Sequence, residues 1–253
     1  MSKQDLIRLS QSHLNLLSIC PPKFQQVYLE GLGSLTPPEQ HDSMQWGSRF
    51  HLLMQQRELT LPIESLLATD SELDRSLKAL VEAAPELEPN PNIWREAEHS
   101  RTLTIDNFLF TVIFDLLIAQ TDQAIILDWK TYRQPISSKK LQQNWQTRLY
   151  LYVLAETSEY KPEQIQMTYW FVKSGAPKKI TIKYNAKKHQ QTAQELKTLL
   201  ANLKTWLQDY QNVQTNFPHH SDCEDCRFHS DFIAVDSEEG MLGSIDDIEE
   251  VII

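Results

Sequence analysis

The sequence predicts an α/β fold in which a mixed β-sheet is flanked by helices. Two pairs of apolar segments, rich in β-branched and aromatic residues, predict β-hairpins at 110–129 and 165–184. Before, between and after them, apolar residues recur at helical spacing, which predicts helices packed against the sheet. With 253 residues, 41% of them hydrophobic and 23% charged, the chain can enclose one substantial core.

The amino-terminal part is predicted to be helical. Two short helices are expected to meet at Cys20, because Pro21 and Pro22 interrupt the pattern there. Residues 33–41 are expected to form a loop, and residues 42–57 a further helix.

Further helix is expected between residues 59 and 92, broken at Pro62 and Pro85, and a strand at 93–104. On that strand Glu96 and Glu98 share one face by alternation, so either can add a carboxylate to a site, with a slight preference for Glu98. Surface glutamates are nevertheless common.

The segment 110–132 forms the predicted centre of the molecule. If Thr121 and Asp122 are the turn residues of a hairpin, Asp115 faces Asp128 across the two strands. Two carboxylates this close repel each other unless a cation lies between them or one is protonated. Lys130 lies two residues beyond Asp128 and therefore points to the same face.

Two carboxylates and a lysine on one sheet face suit phosphodiester hydrolysis. Carboxylates bind Mg²⁺ or Mn²⁺, which activates water and neutralises phosphate charge, and the lysine stabilises developing negative charge. The alternative is a salt bridge between Asp128 and Lys130 at a strand end, since the D-x-K pattern alone is weak.

The remaining elements are predicted from spacing and caps. A helix is expected at 138–156, on which Gln146 and Tyr150, four residues apart, lie on one face. The second hairpin and a long amphipathic helix at 186–211 follow. On the earlier helix, His51 lies one turn after Gly47; alone, such a histidine is more often partnered or exposed than a ligand.

Charge is distributed unevenly along the chain. The net charge is −10, and residues 219–253, with 11 acidic residues and one basic residue, account for it. Residues 128–190 hold 12 Lys or Arg against 4 Asp or Glu, a surplus that suits a nucleic-acid backbone. A solvated lysine-rich surface is the alternative.

No apolar run approaches the ~20 residues that span a bilayer, and the first residues lack a signal-peptide profile. We therefore expect a cytoplasmic protein that does not bind membranes. The three cysteines do not suggest a disulfide framework.

Four motifs in this order resemble those of RecB-type nucleases in the PD-(D/E)XK superfamily. They are Gly47 with His51, then Asp115, then the sequence DWKT at 128–131, then QTRLY at 146–150. The resemblance implies a restriction-endonuclease-like core and a DNA nuclease. It also implies the residue roles: His51, Asp115, Asp128 and the backbone carbonyl of Trp129 ligate metal, Lys130 is catalytic, and Gln146 and Tyr150 place DNA or the lysine.

Some relatives, including AddB-type helicase-nucleases and CRISPR-associated RecB-like exonucleases, hold a 4Fe-4S cluster. Cys20, Cys223 and Cys226 resemble three of its four ligands, whereas Phe232 lies near the place of the fourth and His229 is the nearest substitute. Three cysteines with a histidine suit Zn²⁺. The alternative is that these cysteines are merely small buried residues.

The predicted domain covers residues 1–234, with 1–32 and 219–232 joined through the cysteines, and 235–253 form an acidic tail expected to be disordered. We expect a metal-dependent DNA nuclease acting on ends or single strands in repair, recombination or defence, with a helicase or similar protein as partner. The rival is a catalytically silent DNA-binding or assembly subunit with the same fold. RNA as substrate, cleavage mode, polarity and oligomeric state stay open.

Overall fold

The computed structural model describes residues 6–32, 38–132, 136–173 and 176–219. The strands are β1 (Ile7–Leu9), β2 (Trp94–Ile105), β3 (Phe108–Ala119), β4 (Ala124–Lys130), β5 (Ile165–Phe171) and β6 (Lys178–Lys183). The α-helices are α1 (Gln11–Ile19), α2 (Pro21–Phe24), α3 (Pro38–Glu58), α4 (Glu64–Ala68), α5 (Ser71–Ala83), α6 (Ser138–Gln143), α7 (Trp145–Glu156) and α8 (Ala186–Val213). A π-helical segment, Gln25–Leu29, follows α2.

The strands form one mixed sheet. Its order is β1-β3-β4-β5-β6, and β2 pairs with β3. The β2–β3, β3–β4 and β5–β6 pairs are antiparallel, whereas β4 and β5 are parallel. A parallel connection needs a crossover, and α6 and α7 lie in it. The predicted mixed sheet flanked by helices is therefore confirmed, as are both predicted hairpins.

Two predicted element boundaries are wrong. Residues 33–41 were expected to form a loop, but α3 already begins at Pro38; proline suits the first helical turn because its missing N–H has no partner there in any case. The helix predicted at 138–156 is interrupted at Asn144, whose extended backbone (ψ 139°) separates α6 from α7. The Asn144 side chain then accepts a hydrogen bond from the backbone N–H of Gln146 and starts α7.

One hydrophobic core lies on the sheet face covered by α3 and α5. Apolar side chains of these helices meet those of β3, β4 and β5, and most are fully buried: Phe50, Leu53, Leu73, Leu80, Leu116, Leu127, Trp129 and Trp170. Burial of each such side chain contributes roughly 1.5–3 kcal/mol. This packing fixes α3, which carries His51, against the strands that carry the two aspartates.

The chain divides into two compact units. The first comprises residues 1–8 and 36–192 and contains nearly the whole sheet; the second comprises residues 9–35 and 193–253. Within the second unit the Gln25 side chain donates to Asn216 and accepts from the backbone N–H of Phe217. These bonds join the amino-terminal helices to the segment that leads towards Cys223. No helix among the described residues is long and apolar enough to cross a membrane.

Candidate active site and metal cluster

The central hairpin has the register that its turn predicts. Ala119 pairs with Ala124, and the ladder continues to Leu116 and Leu127. Asp115 lies one position beyond this last pair. At this position a side-chain contact replaces the backbone pairing. Asp115 Oδ2 accepts a hydrogen bond of 2.7 Å from the backbone N–H of Trp129. This bond holds the Asp115 side chain against β4, the strand that carries Asp128.

Asp128, Lys130 and Gln146 form a closed group that we call the lysine network. Lys130 Nζ lies 2.9 Å from Asp128 Oδ1 and donates to Gln146 Oε1 over 2.9 Å. The Gln146 amide in turn donates to Asp128 Oδ2 over 2.8 Å. The Asp128 side chain is only 3% exposed, so Lys130 and Gln146 together offset the cost of burying its charge.

Gln146 reaches this network because α7 begins beside it. The Asn144 cap satisfies the backbone N–H of Gln146 at 2.7 Å. Gln146 therefore lies in the first turn of the helix, where its side chain points back towards β4. A continuous helix from residue 138 would not have this cap.

The His51 ring lies between the Asp115 carboxylate and the Trp129 backbone carbonyl of β4. Its Nδ1 is 3.4 Å from Asp115 Oδ1, and its Nε2 is 3.1 Å from the carbonyl oxygen of Trp129. A carbonyl oxygen can only accept, so Nε2 is the donor in that contact. The structure therefore brings together His51, Asp115 and the Trp129 carbonyl, three of the four groups predicted as metal ligands.

Glu98 completes a second group, which we call the acidic cluster: His51, Glu98 and Asp115. One ligand atom from each residue lies within 4.8 Å of the others. On β2 and β3, Ala97 pairs with Leu116 and His99 with Phe114, so Glu98 stands opposite Asp115. Glu98 has a φ of +51°, a left-handed conformation that costs about 1–3 kcal/mol outside glycine.

Of the two glutamates considered from the sequence, only Glu98 lies in this cluster. Glu96 instead accepts a bond of 2.7 Å from His99, and its side chain is 53% exposed.

The carboxylates of the site differ in their pKa. Burial, and to a lesser extent Asp115, raise the pKa of Asp128 to about 6 although Lys130 opposes the shift. Burial, followed by the charge of Asp115, raises the pKa of Glu98 to about 7. Burial also acts to raise the pKa of Asp115, but His51, the Trp129 N–H and Lys130 outweigh it and keep that pKa below the usual value.

The acidic cluster fits a divalent cation. Its donors are two carboxylates and an imidazole, with the Trp129 carbonyl beside them, and oxygen-rich sets of this kind suit Mg²⁺ or Mn²⁺. One donor atom from each of the three residues lies within 4.8 Å of the others, close enough for all three to be drawn onto one ion. Asp128 is placed next to this group, in the lysine network.

Two tyrosines support the site from the side of α7 and β5. Tyr150 is buried; this burial and the nearby charges of Asp128 and Asp115 raise its pKa, whereas the Gln146 side chain acts to lower it. Tyr169 pairs with Asp128 on the parallel strand, and its ring centre is 5.4 Å from Lys130 Nζ. Its hydroxyl lies 2.7 Å from Thr147 Oγ1.

Sequence reasoning found Tyr150 but missed Tyr169 and Thr147. The parallel pairing of β4 with β5 is the feature that brings Tyr169 to Asp128, and no local pattern shows it.

The predicted cluster of cysteines is described only in part. Cys20 is buried at the end of α1, where its backbone N–H bonds to the Leu16 carbonyl. Cys223, Cys226 and His229 lie outside the described residues. Binding of a 4Fe-4S cluster or Zn²⁺ by these residues therefore stays a prediction.

Comparison with known proteins gives one family and a fold relative. The model of the PD-(D/E)XK nuclease superfamily matches residues 8–230. No curated protein matches the chain. A candidate exonuclease from Eubacterium rectale has a similar structure, with a TM-score of 0.51, 10% identity, and coverage of 92% of this chain and 91% of the other. The structure of SSO0001 gives a TM-score of 0.34 at 13% identity, covering 79% and 78%.

Proposed function

Because the chain belongs to the PD-(D/E)XK nuclease superfamily, we propose that it is a metal-dependent deoxyribonuclease. It hydrolyses phosphodiester bonds at DNA ends or in single strands, in repair, recombination or defence, with a helicase or another protein of these processes as partner. One observation carries the proposal: the lysine network lies directly beside the acidic cluster, and Trp129 links them through its backbone N–H and carbonyl.

The acidic cluster is the proposed metal site. His51, Glu98, Asp115 and the Trp129 carbonyl would hold the ion, and Asp128 would join them from the lysine network. Bound Mg²⁺ or Mn²⁺ supplies Lewis-acid activation of water and neutralises charge on the phosphate. Burial of these carboxylates strengthens their interaction with a cation, because fewer waters compete for it.

Lys130 supplies the fixed positive charge. Asp128 and Gln146 hold its ammonium from two directions, so it is oriented before substrate arrives. An ammonium preorganised in this way stabilises the negative charge that develops on the phosphate oxygens. Gln146 positions Lys130, and the buried Tyr150 lies one turn further along α7.

The exposed lysines of the described residues suit DNA. Exposed lysines lie on α6, which immediately precedes the helix carrying Gln146, and on β6 and the start of α8: Lys139, Lys140, Lys178, Lys179, Lys183 and Lys187. Contacts of this kind bind the phosphate backbone without reading sequence and weaken as salt rises.

The rival function, a catalytically silent subunit, is disfavoured by the acidic cluster. Glu98 adopts a strained backbone and brings a second carboxylate beside Asp115. Both features cost free energy, and neither helps a protein that only binds DNA.

The test is cleavage of end-labelled oligonucleotides by the purified full chain. Single-stranded DNA, duplex DNA and single-stranded RNA are each incubated with Mg²⁺, Mn²⁺ or EDTA. We expect DNA cleavage with either metal and none with EDTA, and a loss of about 10²- to 10³-fold in Lys130→Ala. Lys78→Ala, an exposed lysine on α5, is the matched control and keeps full activity.

Binding without cleavage under every condition would favour the silent subunit, and cleavage of RNA alone would change the substrate. Full activity of Lys130→Ala would remove the lysine from the mechanism.

A further inference from the structure

The left-handed backbone at Glu98 has a second effect, on the side chains of β2. Trp94 and His99 are five residues apart and would point to opposite faces of a regular strand. Here their rings meet, with centroids 5.4 Å apart at 88°. His99 also bonds to Glu96 and accepts from Arg101 Nε over 3.1 Å. Even-numbered residues before Glu98 and odd-numbered residues after it therefore share one side of the strand.

Trp94 is an exposed aromatic on this side. It is 49% exposed, more than any other tryptophan or tyrosine among the described residues. Its neighbour His99 is fixed by Glu96, by Arg101 and by stacking on Phe114 at 6.2 Å and 25°. The exposed Trp94 indole thus packs against a fixed ring, so little of its rotamer entropy is lost when a ligand stacks on it.

A row of aromatic rings connects Trp94 with the candidate active site. His99 stacks on Phe114, and the Phe114 ring lies 5.3 Å from that of Tyr150. Tyr150 lies on α7, one turn after Gln146 of the lysine network. Along β2, the five residues from Trp94 to Glu98 span about 13 Å between the first and the last Cα atom. At about 3.4 Å per stacked nucleotide this equals about four nucleotides, and fewer in an extended strand.

The charge beside Trp94 indicates which part of a nucleic acid fits there. The Glu96 carboxylate is bonded to His99, the ring that Trp94 contacts, and it repels phosphate, whereas the face of a base is uncharged and stacks on indole. Bases inside a duplex are already stacked on their neighbours and expose no free face.

We propose that Trp94 is a stacking platform for one unpaired base, two to four nucleotides from the scissile phosphate of a single strand. This inference rests on the proposed nuclease function and deepens it, because it makes single-stranded nucleic acid the substrate that the site binds. His99 and Phe114 act as positioning residues that support the indole.

The first test measures binding separately from cleavage. Fluorescence anisotropy of a labelled oligothymidine is recorded in EDTA for the wild type, Trp94→Ala and Trp94→Phe. Loss of one stacked base predicts binding weaker by about 5-fold to about 100-fold in Trp94→Ala, whereas Trp94→Phe keeps most of the affinity. Leu61→Ala, at the same 49% exposure, is the matched control and binds as the wild type does.

Two further results separate stacking from other causes. The salt dependence of binding is unchanged in Trp94→Ala, because no phosphate contact is lost. A blunt duplex binds equally to wild type and variant. If affinity for duplex and single strand fell equally, or if Trp94→Phe lost as much as Trp94→Ala, base stacking would be excluded.

The position of the base is found with an abasic site moved along the oligonucleotide. In the wild type one position weakens binding, and in Trp94→Ala that same position has no further effect. A uniform profile in the wild type would overturn the platform. The two proposals can be distinguished. If the wild type cuts DNA and Trp94→Ala binds and cuts equally well, only the stacking platform is refuted. If the wild type binds no nucleic acid, the platform and the nuclease function are both refuted.

Discussion

The two halves of the candidate site are built on different principles. In the lysine network, Asp128 forms an ion pair with Lys130 and accepts a hydrogen bond from the Gln146 amide, and Lys130 donates to Gln146. In the acidic cluster, Glu98 and Asp115 are brought together beside one imidazole, and Glu98 has a left-handed backbone. The network pairs its carboxylate with a cation, whereas the cluster concentrates negative charge.

The lysine network and the acidic cluster therefore contribute different things to the site. In the proposed mechanism, the lysine network contributes a positively charged group that would need no reorganisation when substrate binds. The acidic cluster stores repulsion and strain that a bound divalent cation would relieve. We therefore expect substitutions in the two halves to affect metal binding and turnover separately.

The largest effect is expected for Asp115→Asn. The amide oxygen can still accept from the Trp129 N–H, so the fold is kept while a charged metal ligand is lost. Cleavage should fall by about 10³-fold. In the wild type, Mn²⁺ at about 100 times its Kd should raise Tm by about 5–10 °C, and this rise should disappear in Asp115→Asn. An unchanged rise in the variant would place the ion elsewhere.

Gln146→Ala should reduce turnover by about 10- to 100-fold, because Lys130 loses one of its two anchors. The rise in Tm with Mn²⁺ should persist, since the acidic cluster is intact. Differential scanning fluorimetry beside the cleavage assay measures both quantities. If Gln146→Ala abolished the metal effect, the two halves would not be separable.

A pair of substitutions at Glu98 isolates the backbone strain. Both Glu98→Ala and Glu98→Gly remove the carboxylate and should weaken Mn²⁺ binding equally. Glycine accommodates the φ of +51°, so Glu98→Gly should unfold with a free energy about 0.5–1 kcal/mol higher than Glu98→Ala in urea titrations. At Thr102, an exposed position of the same strand, the order should reverse, with glycine less stable than alanine.

The smallest effect is expected for Tyr169→Phe. The ring beside Lys130 is kept, and the bond between the hydroxyl and Thr147 is lost. Stability should decrease by about 1 kcal/mol, while cleavage changes by less than about threefold. A much larger loss of cleavage would assign the hydroxyl a direct part in the reaction.

The parts of the site that follow from local rules could be predicted from the sequence. A tight turn at Thr121 and Asp122 fixes which residues of β3 and β4 face each other, and alternation then places Lys130 on the side of Asp128. The spacing of Gln146 and Tyr150 likewise places both on one side of α7, and the structure brings both to the site.

The parts that depend on tertiary structure could not be predicted. Strand alternation places Glu96 and Glu98 on one face, so it gave only a slight preference for Glu98 as the carboxylate of the site. The left-handed φ at Glu98 is set by packing rather than by the preference of glutamate. Tyr169 reaches Asp128 only through a parallel pairing across a crossover. The sequence prediction also missed the break between α6 and α7 at Asn144. The flanking residues favour a continuous helix, but the Asn144 side chain bonds to the backbone N–H of Gln146 and starts a new helix there.

The conformation of Glu98 also affects how related sequences should be aligned. Residues that face one side of β2 have even numbers before Glu98 and odd numbers after it. Because the odd-numbered residues are the less exposed ones both before and after Glu98, the burial pattern alone does not reveal this change of side. Residues 94–97 and 99–105 are better treated as two segments, each with its own phase, joined at the left-handed residue Glu98.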